Sequence, residues 1–219
     1  MMFANRSEAG RGLAWRLEQY ADRDDVLVLA VPRGGVPVAF EVAQALHVPL
    51  DIFLLRKLGV PGHSELAFGA IASGGVRVLD RETIRALQIS QVDIAAVTAR
   101  EQQELKRREV AYRGDQPALP VAGKTIIVVD DGIATGASML AGIHALRELR
   151  PAKIVIAVPI AAPEAYARLA YEVDEIVCVA APEHFRAVGQ FYDNFAQTED
   201  EEVIELLAKN RKSVVSRAA

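Results

Sequence analysis

A single cysteine, Cys178, stands among 219 residues. It lies in the apolar run Ile176-Val177-Cys178-Val179, so an intrachain disulfide and a cysteine-cluster metal site are both excluded, and a reducing compartment suits it. An excess of basic charge is also lacking. Lys and Arg number 25 against 29 Asp and Glu, a net charge of −4 that argues against general nucleic-acid binding. Long hydrophobic stretches are missing: Val26–Pro32 and Ile154–Pro163 are far too short to span a bilayer. Arg6, Glu8 and Arg11 would interrupt any signal-peptide core. The expectation is a soluble cytoplasmic protein with neither membrane nor nucleic acid as a partner. What the chain does have is a 51% share of hydrophobic residues, enough for a sizeable core, and a length suited to one large domain.

Short β-branched runs alternate with helical segments. Val26–Val31, Leu50–Leu55, Thr125–Val129, Ile154–Val158 and Ile176–Val179 read as strands apolar on both faces, the pattern of a buried parallel sheet. Val38–Leu46 and Ser138–Leu149 read as amphipathic helices between them. The predicted fold is therefore α/β, an open parallel sheet flanked by helices and joined by right-handed crossovers. One domain covers residues 1–208. Its core lies at about 26–80 and 123–179, with a helical excursion at 81–122, a hood at about 180–208 and a flexible tail at 209–219. Ser7–Tyr20 is expected as an opening helix. In the excursion, Ser90 with Asp93 three residues on has capping-box spacing, and the helix it opens should stop at Gly114. Its stretch Arg100–Glu109 is nearly all polar, which predicts a surface helix or a projecting arm whose charges are solvated.

The most informative segment is Asp130-Asp131-Gly132-Ile133-Ala134-Thr135-Gly136-Ala137-Ser138. A buried strand ends in two carboxylates, and a loop of small and hydroxyl residues then opens a helix. Consecutive amides at a helix N-terminus cradle an anion when small side chains let it approach. Two carboxylates at the lip would repel that anion unless they bind something else on the same ligand, and a ribose diol suits acceptor-only groups. The plainer alternative is a helix cap beside a solvated acidic pair. Gly123-Lys124-Thr125 fails as a P-loop ending, because Ala118 stands at the first glycine position and a strand follows.

This segment resembles the phosphoribosyl-diphosphate signature of the type I phosphoribosyltransferases, and the whole chain looks most like stand-alone bacterial proteins of that family. The resemblance implies that Asp130 and Asp131 hold the ribose hydroxyls, and that Ala134, Thr135, Gly136, Ala137 and Ser138 hold the 5′-phosphate. It makes Arg33-Gly34-Gly35, at the end of the first strand, the pyrophosphate loop. Arg56 and Lys57, with the glycine- and proline-containing stretch after them, resemble the element that closes over pyrophosphate; Lys57 is assigned to that group. His63 and Glu65 read better as solvated loop residues than as site members. In the segment 182–195, which resembles the hood of purine-specific members, Phe185 is the candidate to stack on a base. Asp193 is the candidate to touch the base or a magnesium ion held mostly by ligand oxygens, while Phe191, Tyr192 and Phe195 should pack the hood.

The implied activity is transfer of a phosphoribosyl group, with Mg2+, from phosphoribosyl diphosphate to a nucleobase or related acceptor as pyrophosphate leaves. Arg33, Lys57, Asp130 and Asp131 would be the catalytic set, acting by electrostatics and positioning. A homodimer is compatible with this reading. Two departures bear on the acceptor: Ala134 and Glu172 stand where 6-oxopurine enzymes carry an Asp and a Lys. The alternative is a regulator of the same fold that senses phosphoribosyl diphosphate without turnover.

Overall fold

The computed structural model describes residues 2–218, without the side chains of Ser64, Glu65 and Ala218. Five parallel strands form its centre: β1 (Val26–Ala30), β2 (Leu50–Ile52), β6 (Thr125–Val129), β7 (Lys153–Ile160) and β8 (Glu175–Ala180), in the order β2-β1-β6-β7-β8. Strand direction of growth reverses between β1 and β6, which makes the carboxyl ends of these two strands the topological switch point. Every residue of β1 and β6 is buried. Their side chains divide by period two between the faces: Val26, Val28, Ala30, Ile127 and Val129 join one core cluster, and Leu27, Leu29, Ile126 and Val128 the other. Helices α1 (Arg6–Trp15), α2 (Gly35–Leu46) and α7 (Asp200–Ala218) cover the first face. On the second lie α5 (Ala137–Glu148) and α6 (Pro163–Ala170).

The stretch after the second strand departs from its expected loop: Leu55–Val60 (β3) and His63–Ala72 (β4) form an antiparallel hairpin turning at Pro61-Gly62, and β5 (Arg77–Leu79) joins its far side. Gly62 takes φ +78°, the left-handed region that only glycine enters readily. His63 is exposed beside that turn, and the side chain of Glu65 lies outside the described residues. Helix α3 (Arg81–Ala86) leads to α4 (Gln91–Arg113), whose Ser90 hydroxyl accepts from the Asp93 amide at 3.1 Å and whose end is Gly114, both as expected.

Two expectations are corrected. Helix α4 is not a projecting arm, because Glu101, Leu105, Tyr112 and Arg113 are buried. Residues 101, 105 and 112 repeat at helical spacing and face inward, and the polar ones among them have partners there. Nor is 209–218 a flexible tail. Helix α7 continues through it because Asn210, 2% exposed, accepts from the Leu50 amide (2.9 Å) and donates to the Val48 carbonyl (3.3 Å) at the sheet's edge.

The end of α4 is fixed by a buried ion pair. Arg113 Nε donates to Asp51 Oδ1 at 2.8 Å and its Nη2 to the Ile52 carbonyl at 2.9 Å, while the Leu119 amide donates to Asp51 Oδ2 at 3.0 Å. Removing one partner strands the other charge in the core, at a cost of about 3–5 kcal/mol. Arg113→Met should therefore lower unfolding free energy in a denaturant titration by that amount. A loss under about 1 kcal/mol, the range of exposed pairs, would show that this pair does not anchor the helix.

Candidate functional site

Strands β1 and β6 run level, Ala30 opposite Val129, and the Val31 amide donates to the Val129 carbonyl at 2.9 Å. The turns leaving the two strands must then pass side by side. The first carries Pro32-Arg33-Gly34-Gly35, with a cis peptide between Pro32 and Arg33. The second carries Asp130 and Asp131. Contact between them is so close that a Cβ on Gly34 would stand 2.0 Å from Asp131 Oδ2, and one on Gly35 2.8 Å from the Val129 carbonyl oxygen. Glycine is required here for space, and its φ freedom is not at issue.

Beyond the acid pair, the loop is pinned to β7: the Ile133 amide donates to the Ile160 carbonyl and the Ala162 amide to the Ile133 carbonyl. Gly136, at φ +70°, caps α5, and Arg168 donates to the Thr135 carbonyl. Ala134, Thr135, Ala137 and Ser138 are exposed. Among the described residues, no backbone acceptor is paired with the amides of Ala134, Thr135, Gly136 or Ser138. They form an amide cradle at a helix N-terminus, the arrangement that binds phosphate.

The acid pair is electrostatically uneven. Arg6, from the first turn of α1, donates through Nε to Asp131 Oδ2 at 2.9 Å and through Nη2 at 2.8 Å. The same guanidinium lies 4.0 Å from the centre of the Phe195 ring and donates to the Ala196 carbonyl at 2.6 Å. Tyr192 closes the other side, its hydroxyl donating to the Asp131 carbonyl at 2.7 Å. Burial raises the Asp131 carboxyl and Arg6 pulls it back. Among the described residues Asp130 has no such direct partner. Burial first, then the neighbouring Asp131 charge, pushes its carboxyl well above the ordinary range, with the Asp131 amide (2.8 Å) opposing. Arg6 lies 125 positions from Asp131, and no local signal in the sequence points to it.

A cavity of about 230 Å³ opens beside Asp130, lined also by Lys57, Ser138, Met139, Leu105 and Arg108. Lys57, Asp130 and Ser138 thus line one cavity. Arg33 is not: its guanidinium turns to Glu199 (3.5 Å) and Asp200 (3.8 Å) at the start of α7. Arg56, beside Lys57, is engaged by Glu101 of α4 at 2.6 Å. The hood forms where the chain after β8 meets the N-terminus, the Phe3 amide donating to the Phe191 carbonyl and the Asp193 amide to the Phe3 carbonyl. Phe191 and Tyr192 pack in its core, as expected. Phe185 is half-buried, 5.7 Å from Phe191 between ring centres, and Asp193 is exposed; neither lines the cavity beside Asp130.

The raised carboxyl has a stability consequence. A folded-state pKa above the unfolded value means that folding is favoured while the group is protonated in both states, and that this advantage is lost as pH rises above about 3.9 toward the folded value. Asp130→Asn removes the loss and keeps an oxygen to accept from the Asp131 amide. The ligand-free variant should melt above the parent at pH 7.5, by about 2–4 °C for each kcal/mol recovered. Near pH 4 the two curves should converge. A variant melting below the parent at pH 7.5 would contradict the assigned burial cost.

The phosphoribosyl transferase domain model matches residues 59–196. Two Mycobacterium tuberculosis proteins, provisionally named phosphoribosyl transferases, are 45% identical over 218 residues, all of this chain and 49% of each of theirs. The chain thus spans about half the length of these curated relatives. TT1426 from Thermus thermophilus, known as a crystal structure, is 39% identical with a TM-score of 0.85, over 95% of this chain and 99% of that one. The bifunctional protein PyrR of Chloroflexus aurantiacus is 30% identical over 133 residues, 58% of this chain and 66% of PyrR. With a matched segment that holds the acid pair and the amide cradle, and a full-length structural counterpart, this chain belongs to the phosphoribosyl transferase family.

Proposed function

We propose that the protein transfers the phosphoribosyl group of phosphoribosyl diphosphate to a nucleobase or related acceptor, releasing pyrophosphate. The observation that carries this reading is the pairing, at one switch point, of two adjacent carboxylates with a helix-terminal cradle of amides. A ligand that satisfies both needs a diol and a phosphate a few bonds apart, and a ribose 5-phosphate has them. Asp130 and Asp131 accept from the ribose hydroxyls, the 134–138 amides and hydroxyls take the 5′-phosphate, and Lys57 takes the pyrophosphate. Arg33 joins that group once it leaves Glu199 and Asp200. In this reading Phe185 and Asp193 would meet the acceptor from the hood, outside the cavity beside Asp130.

Bond breaking at C1 leaves positive charge on the sugar and gathers negative charge on the departing pyrophosphate. Asp130 and Asp131 lie on the sugar's side, and the cations of β3 and the 32–35 turn on the leaving group's. Charges brought to these positions, Arg33 after it leaves its acidic partners, lower the barrier without a nucleophilic side chain. Magnesium fits the donor set. It is a hard ion usually held by one or two carboxylates together with substrate phosphates and water. Asp130 offers a half-buried carboxyl on the cavity wall, and among the described residues no cation forms an ion pair with it. Among the described residues no group of three or more His, Cys, Asp or Glu is placed to hold a metal, so most of its oxygens would come from the ligand. When bound, the ion supplies charge neutralisation to the pyrophosphate.

Asp131→Asn tests the reading. The amide keeps one acceptor, loses the charge and turns donors toward hydroxyls, so affinity for the sugar diphosphate with magnesium should fall about ten- to hundredfold. Thermal stability should fall too, because the buried Arg6 loses its ion pair; relief of repulsion belongs to Asp130. Calorimetric titration and a melting curve give both answers, and a screen of bases and small amines for pyrophosphate release identifies the acceptor. A parent protein that does not bind the sugar diphosphate overturns the proposal. Binding without release from any acceptor would replace it with the sensing role.

A further inference from the structure

Positions 101, 105, 108 and 112 repeat at helical spacing along one stripe of helix α4, and Leu105 and Arg108 of that stripe line the cavity beside Asp130. Three of these are accounted for within the fold. Glu101 bonds Arg56 through Oε2 at 2.6 and 2.9 Å, Leu105 is 3% exposed in the main core, and the Tyr112 hydroxyl donates to Asp200 Oδ1 at 2.7 Å. Arg108 is the fourth, and it lines the same cavity as Lys57 and Asp130.

Its charge is only half balanced. Arg108 Nε donates to Glu104 Oε1 at 2.9 Å, but Glu104 also receives Arg107, through Nε at 2.7 Å and Nη2 at 2.9 Å. One carboxylate between two guanidinium groups leaves a net positive charge on this turn of helix. Both arginines hold the Glu104 carboxyl down to about 2, so the carboxylate stays ionised and the trio keeps that charge throughout the neutral range. The two arginines differ in direction: Arg107 is 67% exposed and outside the cavity, whereas Arg108 is 42% exposed and on its wall. No ion pair links Lys57 to an acidic side chain among the described residues. Three cations thus line the cavity, Lys57, Arg108 and Arg56, the last of them held by Glu101, together with Asp130 and with Ser138 at the start of the amide cradle.

We infer that Arg108 is an anion-binding residue of this site, holding the pyrophosphate of the sugar diphosphate together with Lys57. The inference rests on the proposed function and extends it to the helical excursion, whose place in the site the sequence reading left as a solvated face. A guanidinium presents paired donors to two phosphate oxygens at once, which a lysine in the same place does not.

The test uses the full chain in three variants: Arg108→Gln, Arg108→Lys and Arg107→Gln. Each is titrated calorimetrically with inorganic pyrophosphate and with phosphoribosyl diphosphate, magnesium being present. Arg108→Gln should weaken both ligands by about ten- to a hundredfold, the range for a charged hydrogen-bond partner, with Arg108→Lys in between. Arg107→Gln, which shares Glu104 but points away from the cavity, should stay within about twofold of the parent, as an exposed charge does. Parent-like binding by Arg108→Gln, or equal losses at 107 and 108, overturns the inference while the functional reading stands. A parent that binds neither ligand overturns the functional reading and this inference with it.

Discussion

A carboxylate pair set at the buried end of a parallel strand is the constraint around which the rest of this structure is arranged. Strand β6 is buried throughout and ends in Asp130 and Asp131, beside the end of β1. Charge at that place needs compensation, and the fold supplies it unequally. Asp131 has the Arg6 guanidinium at contact distance, while Asp130 accepts from the Asp131 amide and, among the described residues, forms no ion pair. Space is as tightly prescribed as charge, since Gly34 and Gly35 admit the neighbouring turn only because neither has a side chain. Gly132 does the same for the hood, where an added Cβ would stand 2.5 Å from Val188 Cγ1. The outcome is a surface at the switch point that is under-compensated at one carboxyl.

Around this centre the peripheral elements form a continuous bracket. Helix α1 contributes Arg6 and the hood contributes Phe195 and Tyr192, so the N-terminus and the chain after β8 meet at Asp131. On the opposite side α4 is tied down three times, by Glu101 to Arg56, by Tyr112 to Asp200 and by Arg113 to Asp51. Arg33 and Tyr112 both reach Asp200, which joins the turn after β1, α4 and the start of α7. Displacement of Arg33 toward a bound anion would therefore be felt by both helices.

The parts legible in the sequence are those written locally. Strands such as Thr125–Val129 declare themselves through consecutive β-branched residues, and the 130–138 loop through acids followed by small residues. Helix α4 shows its ends through Ser90 and Gly114. What stayed hidden depends on distant partners. The inward stripe of α4 looks like a solvated face because Glu101 and Tyr112 are polar, and their partners lie 45 and 88 positions away. Arg6 carries no local signal at all. Strand β4 mixes glycine and alanine with larger residues, so its composition resembles a loop until β3 and β5 flank it. The last turns of α7 read as a basic tail because the buried hydrogen bonds of Asn210, to Leu50 and Val48, join residues 160 and 162 apart.

The central claim is that the switch point between β1 and β6 receives phosphoribosyl diphosphate. A crystal structure of the protein grown with that ligand and magnesium tests it most directly. The account predicts the ribose hydroxyls within hydrogen-bond distance of the Asp130 and Asp131 carboxylates, and the 5′-phosphate on the amides of 134–138. Density for the ligand at another place, with this loop empty at saturating concentration, would contradict it.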